Sequence, residues 1–392
     1  MGKFLFVVPP FFGHTSPTLS VGAVLLSRGH SVCWAGLCEL PEGRLPAGGE
    51  FIVPHKALEG YQDELAWILK RQDDGPSIGG AEVLKLALEE TYIPLARMLM
   101  KGLPEIVDRF RPDLIISDCI SFAGAICAYK MGIPYVTTTP VPPDVMGSAM
   151  DMPKIKAWQE GLILGLQRTF GICVDFPVIH SDRMNIVFTS REFAGMADPP
   201  DSMQFVGPVR GRPDDGPFDW ERLERSEGPK IFISLGTLLV DIRKDFFQKM
   251  VEAFGGQPFT VVAATDEATL AEWPDNFIVQ SYVPQSRVME KMDVVVCHGG
   301  FNTVNDAILH SLPILITPIA YDHFHTADLI ERAGCGRSIR YKRMRVADVW
   351  LTVNQLLKND SYRLAAARMR DSFLRAGGSE YAATLLEEAV SI

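Results

Sequence analysis

The stretch VVVCHGGFNTVND, residues 294–306, restricts the fold of this 392-residue chain more than any other. Four apolar, mostly β-branched residues make a short buried strand. His298, Gly299 and Gly300 follow at once, and Asn302 and Thr303 open a helix. A strand feeding a helix through a glycine turn is the repeating unit of a parallel α/β sheet. The same turn suits an anion. The first backbone N–H groups of a helix have no internal partner, and the dipole adds partial positive charge there. Glycines let the backbone approach a ligand closely. His298 can donate one more hydrogen bond. Such a turn can hold a phosphate or diphosphate without a metal.

The rhythm begins at the N-terminus. Residues 4–8 read as a strand, Gly13-His14 as a turn, and 15–28 as a helix with Ser16 as its cap and Pro17 in its first turn. Residues 31–35 form the next strand. A helical region spans 61–111, a strand 113–117 ends at Asp118, and a helix 122–131 and a strand 135–138 follow. Amphipathic helices cover 150–170, with short strands at 184–188 and 204–206. From 207 to 229 proline, glycine and charge accumulate, which marks a linker. The rhythm then restarts with strand 230–234, helix 244–254, strands 260–263 and 278–281, and a short helix from Gln285. Strand 293–297, helix 302–310, strand 314–316 and helix 322–332 follow. The tail 346–392 is helical with a break at Gly377-Gly378. The chain is long for one core. The expectation is an α/β protein of two doubly wound, Rossmann-like domains facing across a cleft. An N-terminal domain would cover 1–207, a linker 208–229 and a second domain 230–377.

Bulk properties exclude several classes. A net charge of −10 argues against a nucleic-acid binder. The apolar fraction of 47% and charged fraction of 22% are ordinary for a soluble enzyme. Seven cysteines, without CxxC or Cys/His zinc spacing, fit a reducing cytoplasm. The apolar N-terminal run is broken by Pro9 and Pro10 and lacks a cleavage site, unlike a signal peptide. No run approaches the roughly 20 apolar residues of a membrane helix.

Chemistry-bearing residues fall just after strands, where doubly wound sheets bind ligands. His14 can act as a general base if something orients it, and Asp118 is an apt partner. The plainer alternative is a histidine that caps a helix or binds phosphate. Gly236-Thr237 offers N–H groups and a hydroxyl to a phosphate. Tyr282, Val283 and Gln285 can meet a nucleobase, or simply connect a strand to a helix. Asp322 and His323 can grip sugar hydroxyls, or Asp322 can cap the next helix. Phe11, Phe12, Trp67, Met146, Met150, Met152 and Trp158 form either an apolar acceptor wall or ordinary core. No Asp-x-Asp stands at a strand end, and Asp214-Asp215 lies in the linker. No metal site is expected.

The segments GHTSPTL (13–19), SLGT (234–237), YVPQ (282–285), HGGFNTVND (298–306) and PIAYDH (318–323) occur in this order. Together they resemble family 1, UDP-glycosyltransferase-like enzymes of the GT-B fold. The nearer likeness is to bacterial natural-product glycosyltransferases of the macrolide and carotenoid type. The resemblance implies metal-independent, inverting transfer from a UDP- or TDP-sugar to a hydroxyl of a small hydrophobic aglycone. The nucleotide sugar is a co-substrate, and no cofactor is implied. His14 would deprotonate the acceptor, with Asp118 behind it. Thr237, His298, Gly300, Asn302 and Thr303 would hold the donor diphosphate, and Gly13 and Gly299 would also serve the donor. Tyr282, Val283 and Gln285 would serve the base. Asp306 stands where the family has a ribose-binding glutamate. Asp322 and His323 stand where Asp-Gln is usual, so a glucose reading resting on that glutamine does not transfer. The last helix, 378–392, would pack back on the N-terminal domain. A monomer or homodimer is expected. Rival readings are a lipid-linked, peptidoglycan-type transferase at a membrane surface and a non-catalytic nucleotide-sugar-binding partner protein.

Overall fold

The structure, a computed structural model, describes residues 1–74, 81–140, 153–209, 216–236, 240–319 and 322–391. The chain forms two compact units. The first comprises Met1–Leu69, Gly80–Gly211 and Phe373–Ile392, the second Lys70–Gly79 and Arg212–Ser372.

The first unit is built on β1 (Lys3–Val7), β2 (Ser31–Ala35), β3 (Glu50–Ile52), β4 (Leu114–Asp118), β5 (Tyr135–Thr139), β6 (Asn185–Val187) and β7 (Met203–Phe205). These strands pair in parallel in the order β3-β2-β1-β4-β5-β6-β7. Strands covered on both faces read as unbroken apolar runs, as in Phe4–Val7 and Leu114–Ile116. The helices of this half are α1 (Phe12–Ser27), α2 (His55–Leu58), α3 (Gln62–Asp74), α4 (Ala81–Ala87), α5 (Ile93–Leu99), α6 (Leu103–Phe110), α7 (Phe122–Met131), α8 (Pro153–Thr169) and α9 (Arg191–Ala194). A π-helical turn, Leu88–Tyr92, joins α4 to α5.

The second unit contains β8 (Lys230–Ser234), β9 (Thr260–Ala264), β10 (Phe277–Gln280), β11 (Val294–Cys297), β12 (Ile314–Ile316) and β13 (Gly336–Ser338). They are again parallel, in the order β10-β9-β8-β11-β12-β13. Its helices are α10 (Trp220–Arg225), α11 (Val240–Phe254), α12 (Gln285–Met289), α13 (Phe301–Leu309), α14 (His323–Ala333), α15 (Val346–Lys358) and α16 (Asp360–Arg375). The last helix, α17 (Gly378–Ser391), returns to the first unit. There Arg28 donates to Glu380 Oε2 and Glu387 Oε2 at 2.7 Å each, while Ala382, Ala383 and Leu386 join the core around Val21 and Leu25. Among the described residues, no helix is long and apolar enough to cross a membrane.

The strands follow the sequence pattern closely, and the differences have local causes. Helix α1 starts at Phe12, so Ser16 and Pro17 lie inside it rather than at its cap. Phe11 is extended and provides no side-chain cap. The entry is held instead by the Thr15 hydroxyl, which donates to the Pro9 and Phe11 carbonyls. His14 therefore stands on the first turn of the helix, not in a loop before it. The strands β3 and β13 are three residues long and carry no alternating pattern to read. The segment read as linker contains α10, capped by the Asp219 carboxylate and tied down by Arg222, which donates to the carbonyls of Asp275 and Phe277.

Each sheet has one point from which the chain winds outward in both directions. It lies between β1 and β4 in the first and between β8 and β11 in the second. Connections diverge there and leave a crevice at the carboxyl ends of the strands. Beneath the first crevice, Trp34 is fully buried, stacks on Phe6 at 5.3 Å and donates its indole N–H to the Thr18 hydroxyl. Gly22 of α1 makes room for that ring, since a Cβ there would lie 2.2 Å from Trp34 Cζ2. Gly22→Ala should lower stability by about 1–3 kcal/mol in chemical denaturation, the usual cost of overpacking a core. An unchanged midpoint would show that α1 can slide away from the sheet freely.

Candidate active site

In the first unit, β1 leads to His14 and β4 ends in Asp118. Their parallel pairing, Val7 opposite Ser117, puts the two side chains at the same crevice. His14 Nδ1 lies 3.0 Å from both oxygens of Asp118. The carboxylate is buried, with 1% of its side chain exposed, while the imidazole keeps 21% of its surface open. Oδ1 also accepts the Ile120 N–H at 3.1 Å, which fixes the carboxylate. An ionised carboxylate only accepts, so Nδ1–H donates and Nε2 is the nitrogen left for substrate. Burial alone would lower the imidazole pKa. The charge of Asp118 and its hydrogen bond overcome this and raise it to about 10. The dyad thus holds a proton at neutral pH and gives it up as the pH rises.

The proposed acceptor wall is dispersed. The Phe11 ring meets His14 edge-on at 6.5 Å. Phe11 and Trp158 are half-buried against the same core cluster. Phe12 is exposed beneath the Arg44 guanidinium, and Trp67 is exposed on α3. Met146, Met150 and Met152 lie outside the described residues. Gly13 sits beside His14 in the first turn of α1, where backbone N–H groups lack intrahelical acceptors.

In the second unit, Ser234 of β8 pairs opposite Cys297 of β11, which brings Gly236 beside His298. A Cβ at Gly236 would lie 2.8 Å from His298 Cε1, and one at Gly300 would lie 2.6 Å from Nε2. The two glycines are thus the space that the imidazole occupies. Gly299 has φ +105°, a conformation open to glycine, and a Cβ there would lie 3.1 Å from Ile316 Cγ2 and 3.2 Å from the His323 carbonyl. Gly300 precedes α13, whose first turn carries no acidic residue and no side-chain cap. A helix start of this kind can receive an anion on its first N–H groups. Thr237 lies outside the described residues.

His323 turns inward. It is 4% exposed and meets the His298 ring edge-on at 4.6 Å. Burial lowers the His298 pKa to about 4, with the Ser234 carbonyl opposing part of the shift. Burial, then the neighbouring His298, holds His323 well below its ordinary value. Both rings are neutral at physiological pH. The Gln285 amide donates to Asp306 Oδ2 at 2.7 Å and accepts from the Thr303 hydroxyl at 3.3 Å. Val283 is buried, whereas Tyr282 and Asn302 are exposed. Asp322 precedes α14 without a side-chain capping bond; its carbonyl takes the N–H and hydroxyl of Thr326 instead. Sequence reasoning missed Arg243 of α11, whose guanidinium donates to the Gly236 carbonyl and buttresses this turn. A single arginine past a glycine turn gives no pattern to detect.

Two parallel, doubly wound sheets, each with a polar site at its switch point, are the architecture of the GT-B fold. Residues 252–387 match the family described as erythromycin biosynthesis protein CIII-like, C-terminal domain. The chain is 25% identical to an NDP-glycosyltransferase, YjiC, of Bacillus subtilis, over 96% of this chain and 95% of that one. It is 27% identical to the demethyllactenocin mycarosyltransferase of Streptomyces fradiae, over 100% and 87% of the two chains. The fold matches the calicheamicin glycosyltransferase CalG4 at a TM-score of 0.77 and 21% identity, covering 100% and 98%. It also matches the glycosyltransferase VinC in complex with DTDP at 0.77 and 17%, covering 99% of each chain. The family resemblance carried by the five motifs therefore holds. The chain is a glycosyltransferase, and its kin are bacterial natural-product glycosyltransferases.

If the neutral imidazole is the reactive form, kcat/KM for the acceptor should climb about tenfold per pH unit below the pKa of His14. The rise should continue from neutrality toward pH 10. Asp118→Asn should move the inflection down to 6.5 or below, since burial then acts without the opposing charge, and lower the plateau. A wild-type profile already flat above pH 7 would mean that Asp118 does not hold the proton.

Proposed function

We propose that the protein transfers a sugar from a nucleoside-diphosphate sugar to a hydroxyl of a small hydrophobic natural-product acceptor, with inversion and without a metal cofactor. The observation that carries this reading is the His14–Asp118 dyad at the end of β4, with Nε2 left for substrate. In this account the first unit takes the acceptor and the second the donor. His14 Nε2 accepts the hydroxyl proton as the acceptor oxygen bonds to the anomeric carbon. The bond from that carbon to the diphosphate breaks on the opposite face, which inverts the centre. Asp118 stabilises the imidazolium that forms. The charge that develops on the diphosphate is met by the N-terminus of α13 and by His298. Both are preorganised and cost no rearrangement as the bond breaks. His298 is suited to this because, as a neutral ring packed between two glycines, it can donate one N–H without adding a buried charge. A relative named as a mycarosyltransferase and a structural neighbour complexed with DTDP support a nucleotide-sugar donor and a natural-product acceptor.

A thermal-shift panel of sugar nucleotides should reveal one or a few that raise the melting temperature, since a ligand bound only to the native state stabilises it. With that donor and an accepted aglycone, His14→Ala should reduce turnover by about two to four orders of magnitude. Its calorimetric affinity for the nucleoside diphosphate should stay at the wild-type value. His298→Ala should weaken that affinity about tenfold, the loss of one good hydrogen bond. Turnover near normal in His14→Ala would remove the base assignment, and unchanged affinity in His298→Ala would move the diphosphate elsewhere.

A further inference from the structure

The residue after Asp118 adds a third kind of donor atom to the dyad. The Cys119 sulfur, an Asp118 oxygen and a His14 ring nitrogen lie within 4.8 Å of one another. None of the three is loosely held. The Cys119 N–H donates to the Thr138 carbonyl at 2.9 Å, Asp118 accepts from the Ile120 N–H, and His14 stands on the first turn of α1. Asp118 is buried, and His14 and Cys119 are partly exposed, so the cluster is reachable from solvent. One imidazole nitrogen, one sulfur and one carboxylate oxygen make a donor set suited to zinc and similar borderline ions, and three protein donors leave a fourth position open. Around tetrahedral Zn²⁺ such atoms stand about 3.3–3.6 Å apart, given metal–ligand lengths of about 2.0–2.3 Å. The contact between Nδ1 and Asp118 spans 3.0 Å, and the sulfur lies within 4.8 Å of a His14 ring nitrogen and an Asp118 oxygen.

We propose that His14, Asp118 and Cys119 form a binding site for a divalent ion of the zinc class, and that its occupancy switches the dyad off. The binding rests on the donor cluster alone; the switching rests on the proposed role of His14 as base. On binding, the Cys119 thiol releases its proton to solvent and its sulfur bonds to the metal. The protonated imidazole releases its Nδ1 proton to solvent, Nδ1 bonds to the metal in place of its hydrogen bond to Asp118, and Asp118 coordinates through oxygen. The ring proton then resides on Nε2. A ring with metal on Nδ1 and hydrogen on Nε2 has no lone pair to take the acceptor proton. Inhibition follows from the loss of the base, with no need to block substrate entry. Sequence spacing gives no hint of the site, because its donors come from the first turn of α1 and the end of β4, which the sheet brings together.

The test uses the full-length, metal-free protein. Titration with Co²⁺ should produce a thiolate-to-cobalt charge-transfer band saturating at about one ion per chain. Cys119→Ala should lose that band, and Zn²⁺ affinity from competition with Co²⁺ or calorimetry should fall about 10–100-fold. Six other cysteines are thiols, of which Cys33, Cys127, Cys297 and Cys335 are buried, so the variant assigns the band. Zn²⁺ should inhibit transfer by the wild type reversibly with chelator. Cys119→Ala, compared with its own metal-free rate, should need at least about tenfold more. No thiolate band in the wild type, or a band unchanged in Cys119→Ala, overturns the site. A wild type that shows the band and loses no activity keeps the site but overturns the switch and the base assignment beneath it.

Discussion

Parallel pairing of β1 with β4, and of β8 with β11, is the constraint on which everything else depends. Residues 104 positions apart meet because Val7 aligns with Ser117, which leaves His14 and Asp118 past the same sheet edge. In the second unit Ser234 aligns with Cys297, which leaves Gly236 against His298. A register slip of one residue would turn every side chain to the other face of its sheet. It would also separate His14 from Asp118 and Gly236 from His298. The buried runs Phe4–Val7 and Val294–Cys297 fix that register through the core they fill, so the same apolar residues that stabilise the sheets also aim the polar ones.

Electrostatics then gives two similar architectures opposite chemistries. Both crevices hold a histidine just after a strand. In the first unit a buried carboxylate faces the ring and raises its pKa, which makes it a site for taking up and holding a proton. In the second, among the described residues, no carboxylate shifts the His298 pKa. The ring is walled by glycines and a second imidazole, and burial keeps it neutral. A neutral donor beside an uncapped helix N-terminus suits an anion, whereas a fixed carboxylate there would repel it. Asp118 at the end of β4 is what separates the electrostatics of the two rings.

Much of this was legible in the sequence because doubly wound sheets are written in unbroken apolar runs and glycine turns. The strands at Ser31–Ala35, Lys230–Ser234 and Ile314–Ile316 and the helix Phe122–Met131 have the bounds that their patterns suggest. What escaped was set by contacts rather than by local pattern. The start of α1 is fixed by Thr15 bonding backward to Pro9 and Phe11, which no propensity announces. The helix α10 arises in a proline- and charge-rich stretch because Arg222 finds two carbonyls of another segment. Motif reading assigned His323 to a sugar and Gln285 to a base. The structure places His323 edge-on against His298 and engages the Gln285 amide with Asp306 and Thr303, pairings visible only once the chain is folded. Of the HGG glycines, Gly300 leaves the space that the His298 imidazole fills, whereas Gly299 is required by its φ of +105°.

The account divides the work between two histidines, and resolved imidazole resonances test that division most directly. In protein labelled with ¹⁵N-histidine, addition of a nucleoside diphosphate should shift the ring signals of His298 and His323 and leave those of His14 in place. A pH titration of the same sample should show His14 still protonated at neutrality and losing its proton near pH 10, with His298 neutral throughout that range. A diphosphate that shifts His14 but not His298, or a His14 that titrates at 6.5 as a free imidazole would, contradicts the account.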